Sequence, residues 1–336
     1  MELYDKRYNE IRLIFHEEEH KYNDTFGNNY TSMTTLLHEY TPQFQKEYWL
    51  RKVSKEMHID KEKLRKQWDD IKDEACARGS NTHNDLENGI KGVSKFKEAV
   101  QYLNLPNLNN TMITVADIPN ININIKPLDI KEFKEATNNK YEKIYKLLEF
   151  YVENGFTIYS EIGVFDIDSL VSGTIDVLCL REDMFVIGDW KTNRGGLQFK
   201  SGYYKKDKTS KPYQLTNKFV ETKEYLLPPL THLPKCNGSI YNLQISGYGR
   251  LTEKILGIPC AGCWLCHIDS DFELNEYGMA KRFPDGLYHI KSSPVEKVSV
   301  YKMRYMKDEI NMILSDRRKI VQADIIKNKD LFADEM

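Results

Sequence analysis

The sequence predicts a mixed α/β protein, a β-sheet core wrapped by helices at both ends. Three observations predict it. Two strand-like runs, Val171–Leu178 and Met184–Lys191, are joined by a short polar turn at Arg181-Glu182-Asp183. A third alternating run, Thr157–Phe165, precedes them. Amphipathic helical stretches lie on both sides, so the order helix–β–β–β–helix–β emerges, which needs helices packed on a sheet.

Taken in order, residues 10–35 alternate polar and apolar around Asn28-Asn29 and suit a short β-meander. A helix is expected to start near Ser32-Met33-Thr34, and another to run from Glu47 to Met57. Leu64, Trp68, Ile71 and Ala75 recur at helical spacing, with Gly79 expected to end or bend the helix. A further helical piece then carries His83, Glu87 and Ile90. Residues 104–128, rich in Asn and Pro, read as an irregular insertion with one short strand at Ile121-Ile123-Ile125. Lys131–Val152 reads as a single helix stopped by Asn154-Gly155, and residues 194–237 as irregular. Ser239–Leu256 reads as a helix, Ile258–Ile268 and Gly286–Lys291 as strands, and Asp308–Ile326 as a last helix. The organisation expected is 1–95 (meander and helices with the histidine), 96–156 (irregular insertion and long helix), 157–300 (core) and 301–336 (terminal helix), integrated into one domain.

Composition narrows the classes. With 336 residues, about 40% apolar and 29% charged, the chain can bury a sizeable core. Net charge is −2, so any basic groove is local. No apolar run reaches membrane-spanning length, so no membrane partner is expected. Six cysteines in such a chain do not make a disulfide scaffold, and Met1–Lys6 lacks the regions of an export signal. The expected setting is reducing and cytoplasmic.

The chemistry-bearing residues concentrate near the hairpin. Asp189 and Lys191 are two apart on one strand and share a face. Asp176 sits on the neighbouring strand, Glu161 on the one before it, facing away from Ile162 and Val164. His83 and Glu87, and likewise Gln244 and Tyr248, are i, i+4 pairs on helices. Two carboxylates and a lysine on one sheet can hold a divalent cation and activate water against a phosphodiester. Asp176 and Asp189 fit as ligands to Mg²⁺ or Mn²⁺, the Trp190 carbonyl as a third, and His83 suits Mn²⁺ better than Mg²⁺. Lys191 would orient the water or neutralise charge. Singly, each feature has a plainer reading: a solvated Asp-x-Lys pair, a hydrogen-bonded histidine, a helix with a polar edge.

Together, Gly79-x-x-x-His83-x-x-x-Glu87, Glu161, Gly173-Thr174-Ile175-Asp176, Asp189-Trp190-Lys191-Thr192 and Gln244-x-x-x-Tyr248 resemble the RecB-like branch of the PD-(D/E)XK nucleases. The resemblance spans Thr31 to about Ile268. It implies a restriction-endonuclease-like sheet and a metal-dependent DNA exonuclease acting on ends, its partner DNA single-stranded or with a free end, in recombination, repair or processing. It also implies metal ligation by His83, Asp176 and Asp189, catalysis by Lys191, positioning by Gln244 and Tyr248, and support from Glu161. The superfamily's proline before the first Asp is replaced by Ile175. Ser32-Met33-Thr34-Thr35-Leu36, Leu227-Pro228-Pro229-Leu230 and Tyr241-x-Leu243-Gln244 look most like phage-encoded members, whose setting would be a bacterial host's cytoplasm. The rival expectations are a structure-selective or sequence-specific endonuclease with the same site, and a non-hydrolytic DNA-binding scaffold.

Two further groups stand out. Cys260-x-x-Cys263-x-x-Cys266, with Cys76 upstream, matches the count for a [4Fe–4S] cluster seen in some relatives. The reading preferred is buried apolar cysteine, because Cys263 and Cys266 on a strand point to opposite faces. Lys200, Lys205, Lys206 and Lys208 flank Tyr203 and Tyr204 beyond the Asp-x-Lys strand. They are expected to contact DNA phosphates and bases, with a solvated loop as the alternative.

Overall fold

The computed structural model describes residues 6–333 apart from 17, 18, 20, 102, 104–110, 122, 123, 292 and 294. Its helices are α1 (Lys6–Glu10), α2 (Met33–Glu39), α3 (Lys46–Met57), α4 (Lys61–Val93), α5 (Phe96–Val100), α6 (Ile118–Ile121), α7 (Ile130–Ala136), α8 (Glu142–Glu153), α9 (Asn237–Leu256) and α10 (Lys307–Ala333). Its strands are β1 (Leu13–His16), β2 (Lys21–Asp24), β3 (Asn29–Ser32), β4 (Thr157–Asp166), β5 (Val171–Leu180), β6 (Phe185–Lys191), β7 (Gly202–Asp207), β8 (Gln214–Glu221), β9 (Cys260–Asp269) and β10 (Lys297–Met303).

Eight strands form one mixed sheet in the order β1-β2-β3-β5-β6-β9-β10, with β4 on the other edge of β5. The β3–β5 and β6–β9 pairs are parallel, the rest antiparallel. A core lies on each face. One joins Met33, Leu36 and Leu37 of α2, Leu243, Ile245, Tyr248 and Leu251 of α9 and Ile310, Ile313 and Leu314 of α10 to Ile162, Val164, Ile175 and Ile187. The other joins Leu86 and Ile90 of α4, Phe133 of α7 and Ile144, Tyr145 and Leu148 of α8 to Val177, Val186 and Trp190. Each of these fully buried side chains contributes about 1.5–3 kcal/mol. The chain is therefore a mixed α/β protein with helices on both faces of its sheet, as the patterning predicts.

The β5–β6 hairpin, the meander and the helix starting after Ser32 fall where expected. Ser32 Oγ accepts the Thr35 amide hydrogen at 3.1 Å and caps α2.

Several expectations need correction. Gly79 does not end a helix, because α4 runs unbroken over 33 residues. A side chain there would bring its Cβ 3.1 Å from Thr192 Oγ1, so close approach explains the glycine. Ile121 ends a short helix instead of opening a strand, and Ile123 lies outside the described residues. The single helix expected over Lys131–Val152 is two. Tyr145 Oη takes the Tyr141 amide and pairs with Thr137 Oγ1 at 2.7 Å, filling the break with hydrogen bonds, and Asn138 and Asn139 turn the chain at positive φ. Residues 194–237 contain the β7–β8 hairpin, which patterning misses because neither strand buries a regular face. Gly286–Lys291 makes only isolated bridges, and the last strand is instead β10, paired along β9.

Candidate active site

The sheet opens at one place. β5 pairs with β3 only at Val171 and Ser172, and with β6 only from Val177 to Leu180. Between these stretches Gly173–Asp176 lack a strand partner on that edge among the described residues. Continued one step, the β5–β6 register sets Asp189 opposite Asp176, and the β4–β5 register sets Glu161 opposite Asp176. The three carboxylates thus occupy one row across three strands, where the sheet parts.

Strands β4 and β5 change pleat at that row. Tyr159, Ile162 and Val164 face the same core, as do Ile175 and Leu178, so each strand carries one residue too many for strict alternation. Glu161 is that residue on β4 and takes φ +51°. A non-glycine residue there costs about 1–3 kcal/mol, a strain that concentrates at functional sites. The irregularity withdraws the Asp176 carbonyl from the ladder, and the Ser160 hydroxyl donates to it at 2.9 Å.

Helix α4 supplies the imidazole. His83 Nδ1 lies 3.5 Å from Asp176 Oδ2 and 3.9 Å from Glu161 Oε1, and ligand atoms of the three residues fall within 4.8 Å of one another. The helix is held in place where Asp85 accepts from Tyr141 Oη (2.8 Å) and Lys140 Nζ (3.2 Å). Glu87, one turn beyond His83, pairs with Lys91 at 2.6 Å. A recess of about 360 Å³ opens onto His83 and Glu161, lined also by Gly79, Ser80, Asn84 and Glu87.

Asp176 and Asp189 do different things. Asp176 Oδ2 accepts the Trp190 backbone N–H at 2.9 Å across the split. A strand residue's N–H and C=O project to the same side, so the Trp190 carbonyl also points towards β5. Asp189 Oδ2 sits 2.6 Å from Lys191 Nζ, the same-face pairing that two-residue spacing predicts. The trio that converges is thus His83, Glu161 and Asp176, with Asp189 engaged by the lysine beside it.

The electrostatics follow from burial. Burial raises the Asp176 carboxyl, and Glu161 raises it further against the pull of His83 and Lys191. Asp189 is pushed up to about 6 by burial and by Asp176, with Lys191 opposing. Burial would lower His83, but the carboxylates of Asp176, Glu161 and Asp189 outweigh it and raise the imidazole to about 9. Burial likewise opposes the Lys191 ammonium, and Asp189 and Asp176 prevail to hold it above the usual lysine value. Protons thus fill a pocket of negative charge that a cation could fill instead.

Helix α9 closes the other face. Gln244 Nε2 donates to Tyr248 Oη at 3.0 Å. The Tyr248 ring occupies the space above Gly173, where an added Cβ would meet its Cε1 at 2.4 Å. Tyr241, noticed in the sequence only as part of a phage-like segment, places its ring 4.9 Å from Lys191 Nζ. It stands three residues before Gln244, a helical spacing that could have marked it. Arg78 donates to the Thr192 carbonyl at 2.7 Å and to Ser270, tying α4 to the end of β6. Nothing in its spacing announces this while the helix is read as broken at Gly79.

The remaining candidates are dispersed. Lys200 pairs with Glu221 at 2.7 Å and Lys208 with Glu56 at 2.5 Å, while Lys205 and Lys206 make no ion pair among the described residues. Tyr203 is exposed, and Tyr204 packs edge-on against Phe219. Cys260 and Cys263 approach to 4.0 Å between sulfurs, but Cys263 belongs to one core and Cys266 to the other. Cys76 is exposed on α4. Cys263 and Cys266 thus face opposite sides of the sheet.

Comparison with protein-family models, with curated proteins and with solved structures gives no match. No helix among the described residues is long and apolar enough to cross a membrane.

Proposed function

We propose that this chain is a divalent-cation-dependent deoxyribonuclease of the restriction-endonuclease-like PD-(D/E)XK type, acting on DNA ends. The observation that carries the reading is the convergence of His83, Glu161 and Asp176 within 4.8 Å beside the Asp189–Lys191 pair. Its donor set, two carboxylates and one imidazole, fits Mn²⁺ and, through its oxygens, Mg²⁺. Such an ion, when bound, supplies charge against the phosphate oxygens and lowers the pKa of water.

The chain's own residues would do the rest. His83, Glu161 and Asp176 hold the ion, and the Trp190 amide fixes the carboxylate that faces the imidazole. Asp189 keeps Lys191 charged, so its ammonium can orient the attacking water or meet phosphate charge. Tyr241 flanks that ammonium, and Gln244 and Tyr248 brace the strands from the opposite face. In the proposed reaction a water oxygen bonds to phosphorus and the P–O3′ bond breaks, leaving a 5′-phosphate and a 3′-hydroxyl. Lys205 and Lys206, which make no ion pair among the described residues, remain candidates for contacting the DNA backbone.

The test is cleavage of linear and circular, single- and double-stranded DNA with Mg²⁺ or Mn²⁺, comparing wild type with Asp176→Asn and Lys191→Ala. Cutting of linear DNA by wild type alone supports the reading. Cutting of closed circles makes the same site an endonuclease, and equal signals from all three proteins sink the nuclease reading in favour of a DNA-binding scaffold.

A further inference from the structure

The surface of α3 carries an arrangement that the proposed active site does not use. Phe44, Tyr48 and Trp49 are 66%, 54% and 39% exposed, although aromatic rings are usually covered. Across a recess from Phe44 and Trp49 stands Tyr225, 48% exposed, beside the Lys235–Glu224 ion pair at 3.0 Å. The Phe44 and Trp68 ring centroids are 6.5 Å apart, and Tyr48 meets Trp49 edge-on at 5.4 Å. Lys52 Nζ sits 4.7 Å from the Trp49 ring centroid.

The charge on this helix is one-sided. Its two carboxylates are neutralised from elsewhere, Glu47 by Lys61 and Arg65 and Glu56 by Lys208. Arg51, Lys52 and Lys55 make no ion pair among the described residues. Half-exposed rings interleaved with uncompensated cations match the chemistry of a nucleic-acid strand whose bases are unpaired, since rings stack on bases and cations meet phosphates. An apolar protein partner would leave those three cations unanswered. The recess is also near the chemistry. Lys235 precedes α9 by two residues and Tyr241 lies one helical turn inside it, so the chain bounds their separation at roughly 14 Å.

We infer that Phe44, Trp49 and Tyr225, with Arg51, Lys52 and Lys55, form a stacking site for single-stranded DNA leading to the catalytic cleft. The inference deepens the nuclease reading and rests on it for its choice of DNA. The experiment is fluorescence anisotropy of a labelled oligo(dT) of about twelve nucleotides in EDTA, where cleavage cannot contribute. Trp49→Ala and Tyr225→Ala are each expected to weaken binding about tenfold, with Trp49→Phe retaining most of it. Combined Arg51→Gln, Lys52→Gln and Lys55→Gln should flatten the slope of log affinity against log salt by about two. These are surface substitutions, and circular dichroism establishes that each variant is folded. Wild-type affinity in all variants, absence of oligo(dT) binding by wild type, or equal competition by duplex DNA would overturn the inference. Cleavage assays on the same proteins keep the two readings apart. Binding through Trp49 without any cleavage removes the nuclease and leaves the stacking site, whereas cleavage with binding indifferent to Trp49 and Tyr225 does the reverse.

Discussion

The backbone N–H of Trp190 donates to Asp176 Oδ2 at 2.9 Å, bridging the point where β5 and β6 separate. One carboxylate thereby does two jobs: it replaces a missing ladder hydrogen bond and presents the same oxygen to His83.

Substitutions at Asp176 should therefore split. Asp176→Asn keeps an acceptor for the Trp190 amide and removes a charge that burial and Glu161 disfavour, so the metal-free protein should be at least as stable as wild type. Asp176→Ala strands the buried amide and should cost about 1–3 kcal/mol. Both should cut DNA at least about a hundredfold more slowly. Thermal melts and cleavage rates on the same samples check this. A less stable Asn variant would contradict the bridge.

The backbone at Glu161 makes a second separation. Glu161→Gly and Glu161→Ala both remove a carboxylate from the trio and should weaken Mn²⁺ binding alike. Glycine accepts φ +51° freely and alanine does not, so the Gly variant should be the more stable by about 1 kcal/mol. Chemical denaturation of both variants without metal decides it. Equal stabilities would mean that the left-handed backbone is not held there.

The site's protons should govern its pH behaviour. The folded-state pKa of His83, about 9, lies above its ordinary value of 6.5. Its contribution to metal-free stability is thus complete below that ordinary value and lost as pH rises through about 9. Asp189, raised from 3.8 to about 6, acts in the same sense over its lower window, stabilising most when protonated. A bound cation must displace protons held by His83 and its neighbours, so Mn²⁺ affinity should climb from about pH 6 to pH 9. Calorimetric titration in buffers of different ionisation enthalpy would register the released protons. His83→Asn should flatten the upper part of the profile, and an affinity independent of pH would contradict it.

Gly173 and Tyr248 should behave as one unit. Gly173→Ala drives a methyl into the Tyr248 ring and should destabilise the fold by about 1–3 kcal/mol while slowing cleavage, because that tyrosine is near enough to Asp176 and Asp189 to feel their charge. Tyr248→Phe keeps the ring and loses only the bond from Gln244, at about 1 kcal/mol or less. Combining Gly173→Ala with Tyr248→Ala should recover part of the first loss, measurable in a double-mutant cycle. Simple additivity would show that the two side chains do not compete for the same space.

Much of this molecule is legible in one dimension because its signals are local. Two-residue spacing puts Asp189 and Lys191 on one face, four-residue spacing pairs Gln244 with Tyr248, and polar turns punctuate the strands, since strand and helix periods act within a few residues. Contacts between distant segments carry no such mark. Gly79 reads as a helix breaker until Thr192 is seen against it, and the break after Ala136 is held by Tyr145. The β7–β8 hairpin has no buried face to give it alternation. The sequence by itself determined the mixed α/β class and most of the residues at the cleft. Only the tertiary structure decided that Glu161 joins His83 and Asp176 while Asp189 turns to Lys191, because that division depends on where two strands part and how one residue leaves the pleat.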